Sequence, residues 1–267
     1  MRQLLHELRT PVNAIQGFAE IIQQQLFGPT PHEYRALAAA IAVDAARMLA
    51  AFEELDRLVR LDSGTLDLPG GGCDFAAVVS ATAAQLEGRT GARFDVAAAP
   101  ALPPITLAEA EAERIAWRVL ATLLGTAAEG ENMALKLDRD ADGVRLVADL
   151  PHALAVLDDK ALFHAVAGAI PQTISAGIFG VGFALRLASA EVRSAGGTFE
   201  RSYKRLQLTL PGGSAPDADD LGQEADATFA GLPAAGSASN RASVRPLAGI
   251  AGDGPVAQRL ELAAHNG

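Results

Sequence analysis

The sequence contains little of what several classes of protein require. Its 267 residues include one cysteine, Cys73, which excludes an internal disulfide and a cysteine-rich metal site. Basic residues number 22 against 32 acidic ones, so a positive surface for sequence-independent nucleic-acid binding is not expected. No apolar run reaches the about 18 residues of a membrane span, because Arg118 interrupts the most apolar stretch, residues 115–128. We therefore expect a cytoplasmic chain with no nucleic-acid partner and no membrane contact of its own.

Aromatic residues are also scarce, at 5 %, although hydrophobic residues as a whole reach 49 % and can bury a sizeable core. Alanine, leucine and glycine supply most of that apolar mass, which favours helices over a β-sandwich. The length exceeds one ordinary domain and suits two. Changes in pattern divide the chain into residues 1–63, 64–210 and 211–267.

Residues 1–63 have the pattern of two long helices joined by a turn at Gly28–Pro31, where glycine and two prolines stop the first helix. In the first helix, apolar residues recur at alternating spacings of three and four, which predicts lengthwise packing against other helices. These residues are Leu5, Leu8, Val12, Ile15, Ala19, Ile22 and Leu26. A lone hairpin leaves half of such a seam in water, so we expect a homodimer whose two hairpins form a four-helix bundle.

Residues 64–210 mix short strands with helices. Helices are predicted at 75–86, 109–128 and 182–195, and strands at 93–97, 133–137, 144–150, 198–203 and 206–210. A further helix is predicted at 158–167. Because the alternation lacks strict βαβ spacing, we expect a two-layer α/β sandwich with a mixed sheet. The tail, residues 211–267, is rich in glycine, alanine and proline without a sustained period, and we expect it to be disordered.

The segment from His6 to Pro11 carries the clearest chemistry. His6 and Thr10 fall on a helix face away from the apolar seam. An exposed imidazole, largely neutral at pH 7, is a good nucleophile toward phosphorus. Glu7 can hold the imidazole of His6 in one tautomer or take its proton. The Thr10 hydroxyl, one helical turn after His6, can position a water molecule. Pro11 removes one backbone hydrogen bond and is expected to bend the helix.

Residues 6–22, HELRTPVNAIQGFAEII, resemble the phosphoacceptor box of two-component sensor histidine kinases, and residues 1–63 resemble that family's dimerisation and phosphotransfer domain. The resemblance implies that His6 is phosphorylated from ATP and passes the group to an aspartate of a response regulator. It implies Glu7 as the acid/base partner and Thr10 as a residue supporting dephosphorylation of the regulator. The receiver domain of the regulator is then expected to dock around Asn13 to Gln24.

Residues 64–210 have the order of elements of the family's second domain, a Bergerat-type ATPase sandwich. Residues 180–185 resemble its GxGLGL box, in which Gly180 and Gly182 remain and Ala184 replaces the third glycine. Asp149 holds the place of the aspartate that reads the adenine amino group, although both glycines of that DxGxG box are lost. The resemblance thus implies an ATP site at Asp149, Gly180 and Gly182.

The magnesium position of that site departs from the family pattern. Thr122 and Thr126 stand where the family has asparagines on the helix predicted at 109–128. A hydroxyl is a poorer magnesium ligand than an amide oxygen, so a degenerate Mg²⁺–ATP site with weakened affinity is implied. The phenylalanine-containing box of the family is matched by Leu162 and Phe163.

Three functions fit these residues. The first is an active histidine kinase, supported by His6, Glu7, Asp149 and the glycine pair and opposed by the lost asparagines. The second is a pseudokinase that acts as a histidine phosphotransfer protein or regulator phosphatase without binding ATP. The third is a dimeric scaffold, which leaves the intact phosphoacceptor box unexplained. The remaining histidines have no HxxxH or HxH spacing, so a zinc site is not expected.

Overall fold

The structure, a computed structural model, describes residues 2–87, 91–141, 143–164 and 178–213. Its elements in chain order are α1 (Arg2–Gln23), α2 (His32–Asp62), α3 (Phe75–Glu87), β1 (Arg93–Ala98), α4 (Glu109–Thr126), β2 (Asn132–Asp140), β3 (Gly143–Asp149), α5 (His152–Ala155), α6 (Asp159–His164), α7 (Val181–Ser194), β4 (Thr198–Ser202) and β5 (Arg205–Pro211). The predicted disordered tail lies outside the described residues beyond 213, as do the last three residues of the helix predicted at 158–167.

Helices α1 and α2 form the predicted antiparallel hairpin. Every seventh residue of α1 is buried against α2, beginning at Leu5, and α2 contributes small side chains that let the two helices approach closely. The buried residues are Leu5, Val12 and Ala19 of α1 and Ala38, Ala42, Ala45 and Ala51 of α2. The remaining half of the predicted seam, Leu8, Ile15, Ile22 and Leu26, is exposed. The hairpin therefore carries a second apolar face that α2 does not cover.

The α/β region is a five-stranded sheet in the order β1-β2-β3-β5-β4, with β1 parallel to β2 and the other neighbours antiparallel. Helices α3, α4 and α7 supply the buried residues that pack against one face of this sheet. Along β3, Val144, Leu146 and Ala148 point into this core, whereas Arg145 lies on the opposite face. The predicted helical hairpin followed by a two-layer sandwich with a mixed sheet is confirmed.

The structure differs from the sequence-based prediction in two places. The connection between the strands predicted at 133–137 and 144–150 is shorter than expected, because β2 continues to Asp140 and pairs with Gly143 and its neighbours in β3. Asp138 pairs with Lys136 at 3.1 Å and with Arg145 at 3.8 Å on the solvent face. Because charged residues alternate along this solvent-facing side, the end of β2 has the composition of a polar turn. Helix α5 was not predicted, and it begins directly after Pro151, whose fixed φ suits the start of a helix.

Gly197 provides a test of the contact between α7, β4 and β5. An added Cβ there would overlap the carbonyl oxygen of Thr209 and lie 3.0 Å from Cγ1 of Val192. We expect Gly197→Ala to lower the free energy of unfolding by roughly 2 kcal/mol or more. Gly17→Ala is the matched control, since a Cβ at Gly17 meets nothing within 4 Å, and it should stabilise α1 by about 0.5 to 1 kcal/mol. Urea denaturation measures both, and unchanged stability of Gly197→Ala would contradict this packing.

Candidate functional site

The predicted phosphoacceptor group lies on an exposed face of α1. His6, Glu7 and Thr10 are all exposed, while the neighbouring Leu5 is buried and anchors this turn. Nε2 of Gln3 donates a hydrogen bond of 3.0 Å to Oε1 of Glu7, which restrains the carboxylate beside the histidine. A rigid helix thus presents an accessible imidazole with a carboxylate next to it in the chain.

The predicted docking stretch, Asn13 to Gln24, continues along α1 from this group. Phe18 exposes 66 % of its surface, and Asn13 is exposed as well. Nε2 of Gln16 donates to Oε1 of Glu20 at 2.9 Å, which stiffens the stretch between them. The helix continues through Pro11 without interruption, and the predicted bend there stays a prediction.

The two threonines at the magnesium position turn their hydroxyls back onto their own helix. Oγ1 of Thr122, which is buried, donates to the carbonyl oxygen of Arg118 at 2.6 Å. Oγ1 of Thr126 donates to the carbonyl oxygens of Thr122 and Leu123, both at 3.0 Å. Magnesium requires a near-octahedral set of oxygens at about 2.0 to 2.1 Å. Within the described residues, no group of three or more His, Cys, Asp and Glu side chains could hold a metal ion.

Asp149 lies on the other face of the sheet from the helices. It follows the core-facing Ala148 on β3, and its Oδ1 accepts a hydrogen bond of 2.9 Å from Nε of Arg205 on β5. Leu150, the residue after Asp149, is buried in the core. The Asp149 carboxylate is therefore not directed toward α4 and α7, the helices that carry the threonines and the glycine pair.

The glycine pair begins α7. Gly180 has φ of 81°, a left-handed conformation that glycine adopts without strain, and Gly182 is buried in the first turn. Phe179 and Phe183 pack across this start with ring centroids 4.6 Å apart. Helix α7 packs against α4, and Ala184 lines a cavity of about 520 Å³ together with Thr122.

A second cavity, of about 530 Å³, contains Asp149 with Lys204 and Arg205. Neither Thr122 nor Ala184 lines it. The structure thus brings Thr122 near Ala184 in the first turn of α7 but leaves Asp149 apart from both.

A charged cluster between α2, α4 and α7 was missed by the sequence analysis. Glu191 on α7 is fully buried, and Nε of Arg57 on α2 donates to its Oε1 at 2.6 Å. Nε of Arg118 on α4 donates to its Oε2 at 3.1 Å. The signal for this cluster was present in the sequence, since Glu191 follows Leu187 and Ala188 at helical spacing on an apolar face, where a charge needs partners.

Comparisons with known proteins agree with the α1–α2 hairpin. Residues 1–64 match the family described as His Kinase A (phospho-acceptor) domain. The chain is 33 % identical over 146 residues to sensor histidine kinase Hik2 of Thermosynechococcus vestitus, covering 50 % of this chain and 36 % of Hik2. It is 30 % identical over 81 residues to histidine protein kinase DivJ of Caulobacter vibrioides, covering 30 % of this chain and 14 % of DivJ.

Another relative is the non-motile and phage-resistance protein of Caulobacter vibrioides, 32 % identical over 69 residues, which are 26 % of this chain and 8 % of that protein. The chain therefore spans about a third or less of the length of these curated relatives.

Two solved structures share the fold. One is full-length ShkA in complex with AMPPNP, with a TM-score of 0.63 and 18 % identity over 80 % of this chain and 45 % of ShkA. The other is histidine kinase AdeS of Acinetobacter baumannii, with a TM-score of 0.51 and 16 % identity over 78 % of this chain and 98 % of AdeS. At these identities the likeness concerns the fold alone.

The expectation from the sequence is confirmed for the hairpin: residues 1–64 match a histidine kinase phosphoacceptor domain, and the chain is similar to sensor histidine kinases. The hairpin followed by an α/β sandwich is also the fold of the solved histidine kinase structures. Among the described residues, no helix is long and apolar enough to cross a membrane.

Proposed function

We propose that this chain works as the histidine kinase of a two-component phosphorelay, in which His6 accepts a phosphoryl group and passes it to an aspartate of a response regulator. The observation that supports this most is the exposed imidazole of His6, held on a rigid helix by the buried Leu5 within a matched phosphoacceptor domain. In this division of roles, residues 1–63 are the phosphoacceptor domain and residues 64–210 the ATPase-type domain.

The transfer steps follow from the groups present. The lone pair of a ring nitrogen of His6 attacks phosphorus, an N–P bond forms, the bond to the leaving oxygen breaks, and Glu7 takes the proton of the other ring nitrogen. In the forward transfer, an aspartate oxygen of the receiver attacks phosphorus, the N–P bond breaks, and the imidazole recovers its proton. Thr10, one turn from His6, holds the water that hydrolyses the aspartyl phosphate of the regulator.

Two partners complete the proposal. A second copy of the chain covers the apolar face that the hairpin leaves exposed and so forms a four-helix bundle. This face consists of Leu8, Ile15 and Ile22 of α1, Leu26 in the turn that follows, and Leu37, Ile41 and Met48 of α2. The receiver domain docks along Asn13 to Gln24, where the exposed ring of Phe18 supplies apolar contact about 18 Å along the helix axis from His6.

The phosphoryl donor of such kinases is Mg²⁺–ATP, and ShkA was solved with an ATP analogue. The residues of this chain do not fit that ligand well. The hydroxyls of Thr122 and Thr126 are directed into their helix, and the Asp149 carboxylate is paired with Arg205 on the far face of the sheet.

These observations support a second candidate, a histidine phosphotransfer protein or regulator phosphatase built on the kinase fold. In it, the phosphoryl group on His6 comes from, or returns to, a receiver aspartate, and the α/β sandwich has a structural role. Both candidates use His6 in the same way and differ in the donor.

Calorimetric titration of Mg²⁺–ATP into the full chain separates the two candidates. With its displaced carboxylate and engaged hydroxyls, the second candidate predicts a dissociation constant weaker than about 1 mM, equivalent to a binding free energy of less than about 4 kcal/mol, whereas the kinase requires tighter binding. The double variant Thr122→Asn with Thr126→Asn should bind no better, because Asp149 stays on the far face. Micromolar binding by the wild type would contradict the second candidate and support ATP as the donor.

A further inference from the structure

The cavity of about 520 Å³ lies between α3 and α4, on the side of α4 that faces away from the sheet. Trp117 of α4 lines it, whereas the core-facing Ile115 of the same helix does not. Cavities that hold small organic molecules measure about 300 to 1,000 Å³, so the size suits such a ligand. Asp149, Gly180 and Gly182, the predicted ATP residues, do not line this cavity. It is therefore a candidate site for a molecule other than the nucleotide.

One wall of the cavity is apolar. It consists of Val78 and Ala81 of α3 with Trp117 and Ala121 of α4. Trp117 exposes 37 % of its surface, which is a large share for the indole side chain. This wall favours an aliphatic or aromatic group on the ligand, since apolar contact is non-directional and depends on the area removed from water.

A buried hydroxyl without a partner lies beside the apolar wall. Thr82 of α3 exposes 6 % of its surface and lines the cavity. Among the residues that the structure describes, its hydroxyl has no hydrogen-bond partner, whereas Ser80 of the same helix donates to the carbonyl oxygen of Ala76 at 2.8 Å. Buried polar groups are nearly always hydrogen-bonded, because leaving one unpaired is costly. Thr82 therefore indicates a polar atom of a bound molecule.

Two opposite charges flank the same wall. Glu113 and Arg114 precede Trp117 by four and three residues, so both side chains lie one helical turn from the indole. Within the described part of the chain, the Glu113 carboxylate has no ion-pair partner. Arg114 approaches Glu111 through Nε alone, at 3.5 Å, which leaves both of its Nη nitrogens for a ligand. A guanidinium can bind a carboxylate through two parallel hydrogen bonds.

The other charged residues of the lining are paired within the protein. Nη1 of Arg118 donates to Oε1 of Glu54 at 2.6 Å, and its Nε donates to Oε2 of Glu191 at 3.1 Å. Burial lowers the pKa of Arg118, but the nearby Glu191 and the hydrogen-bonded Glu54 outweigh it, and the pKa lies above its ordinary value. Glu113 and Arg114 are therefore the charges that a ligand would meet.

We propose that this cavity binds a small zwitterion with an apolar body, of the size and charge pattern of a free amino acid. The ammonium group of the ligand pairs with Glu113, its carboxylate pairs with Arg114, and its apolar body packs against Trp117. The hydroxyl of Thr82 completes the hydrogen bonds of the ligand. A molecule with one charge would pair with one of the two side chains and lie near a like charge on the other. This inference does not depend on the proposed phosphoryl chemistry.

Fluorescence titration of the full chain tests the site, because Trp117 is the single tryptophan of the sequence. The probes are L-phenylalanine, N-acetyl-L-phenylalanine, which lacks the ammonium, and L-phenylalaninamide, which lacks the carboxylate. Excitation at the red edge of tryptophan absorption avoids the probes and the tyrosines. L-Phenylalanine should shift the emission with half-saturation below about 1 mM, and the two analogues should bind at least about tenfold more weakly.

Two variants assign the charges to the two ends of the ligand. Glu113→Gln should weaken the binding of L-phenylalanine about tenfold and leave that of N-acetyl-L-phenylalanine unchanged. Arg114→Gln should weaken L-phenylalanine about tenfold and leave L-phenylalaninamide unchanged. Glu109→Gln is the matched control, an exposed carboxylate of the same helix that does not line the cavity, and it should keep the wild-type affinity. All three positions are exposed, so the fold, checked by circular dichroism, should persist.

Four results would overturn the proposal. The first is the absence of a saturable shift with both L-phenylalanine and L-leucine up to about 10 mM. The second is an equal affinity for the zwitterion and its two singly charged analogues, since apolar packing alone would then explain binding. The third is an equal loss in Glu113→Gln and Glu109→Gln. The fourth is displacement of L-phenylalanine by Mg²⁺–ATP, which would place the probe in a nucleotide site.

Discussion

His6→Ala is expected to remove phosphoryl uptake by the chain, with the labelling rate lowered at least about a thousandfold. Alanine keeps the helix and removes the ring nitrogen that attacks phosphorus, so the loss is chemical and not structural. Because His6 is exposed, the substitution should leave the melting temperature unchanged. Phosphoramidate, a small phosphodonor that needs no protein partner, is a suitable probe, with intact-protein mass as the measurement.

His32→Ala is the matched control for this experiment. His32 is also exposed and also on the hairpin, at the first turn of α2, but it lies outside the phosphoacceptor motif. It should label like the wild type. Retained labelling in His6→Ala, or its loss in His32→Ala, would contradict the assignment of His6.

Arg118→Met is expected to lower the free energy of unfolding by about 3 kcal/mol or more. The Arg118 side chain is 12 % exposed, and its guanidinium pairs with the fully buried Glu191. Methionine has a similar length and helix propensity but no charge, so one oxygen of a buried carboxylate is left without its partner. Urea denaturation followed by circular dichroism measures the change.

Arg114→Met controls for the loss of positive charge on the same helix. Arg114 is half exposed and pairs with Glu111 at 3.5 Å, so its removal should change stability by less than about 0.5 kcal/mol. Equal effects of the two substitutions would show that burial of Glu191 does not depend on Arg118.

The parts of the fold that could be predicted are those in which apolar residues recur at a regular spacing. The three-and-four spacing from Leu5 to Leu26 predicted α1, and Gly28–Pro31 predicted where the hairpin turns. The sequence could not tell which half of that spacing faces α2, because both halves consist of apolar residues. The structure assigns burial to Leu5, Val12 and Ala19.

For the candidate nucleotide-binding residues, a match to a sequence motif did not predict the direction of the side chain. Asp149 matches the aspartate of the family's DxGxG box, yet side chains alternate along a strand, and a shift of one residue moves a side chain to the other face. Ala148 and Leu150 face the core, so Asp149 faces away. Attention to this alternation in the sequence would have identified Leu150 as the core-facing residue.

The charged cluster could not be predicted as a contact, although its members were visible. Arg118 interrupts an apolar run and Glu191 interrupts an apolar helix face, and each is a polar residue where burial is expected. Pairing them requires knowing that α4, α7 and α2 meet, at a separation of 134 residues between Arg57 and Glu191. Sequence spacing carries no such long-range information.

The most direct test of His6 as the phosphoacceptor is fragmentation mass spectrometry of the wild-type chain after reaction with phosphoramidate at neutral pH. A ring nitrogen of His6 displaces ammonia, so one phosphoryl group should be found on a peptide containing His6, stable in alkali and lost in acid as N–P bonds are. The other four histidines of the sequence, His32, His152, His164 and His265, should carry none. A phosphoryl group on another residue, or no adduct while an unrelated histidine phosphotransfer domain is labelled in parallel, would contradict the account.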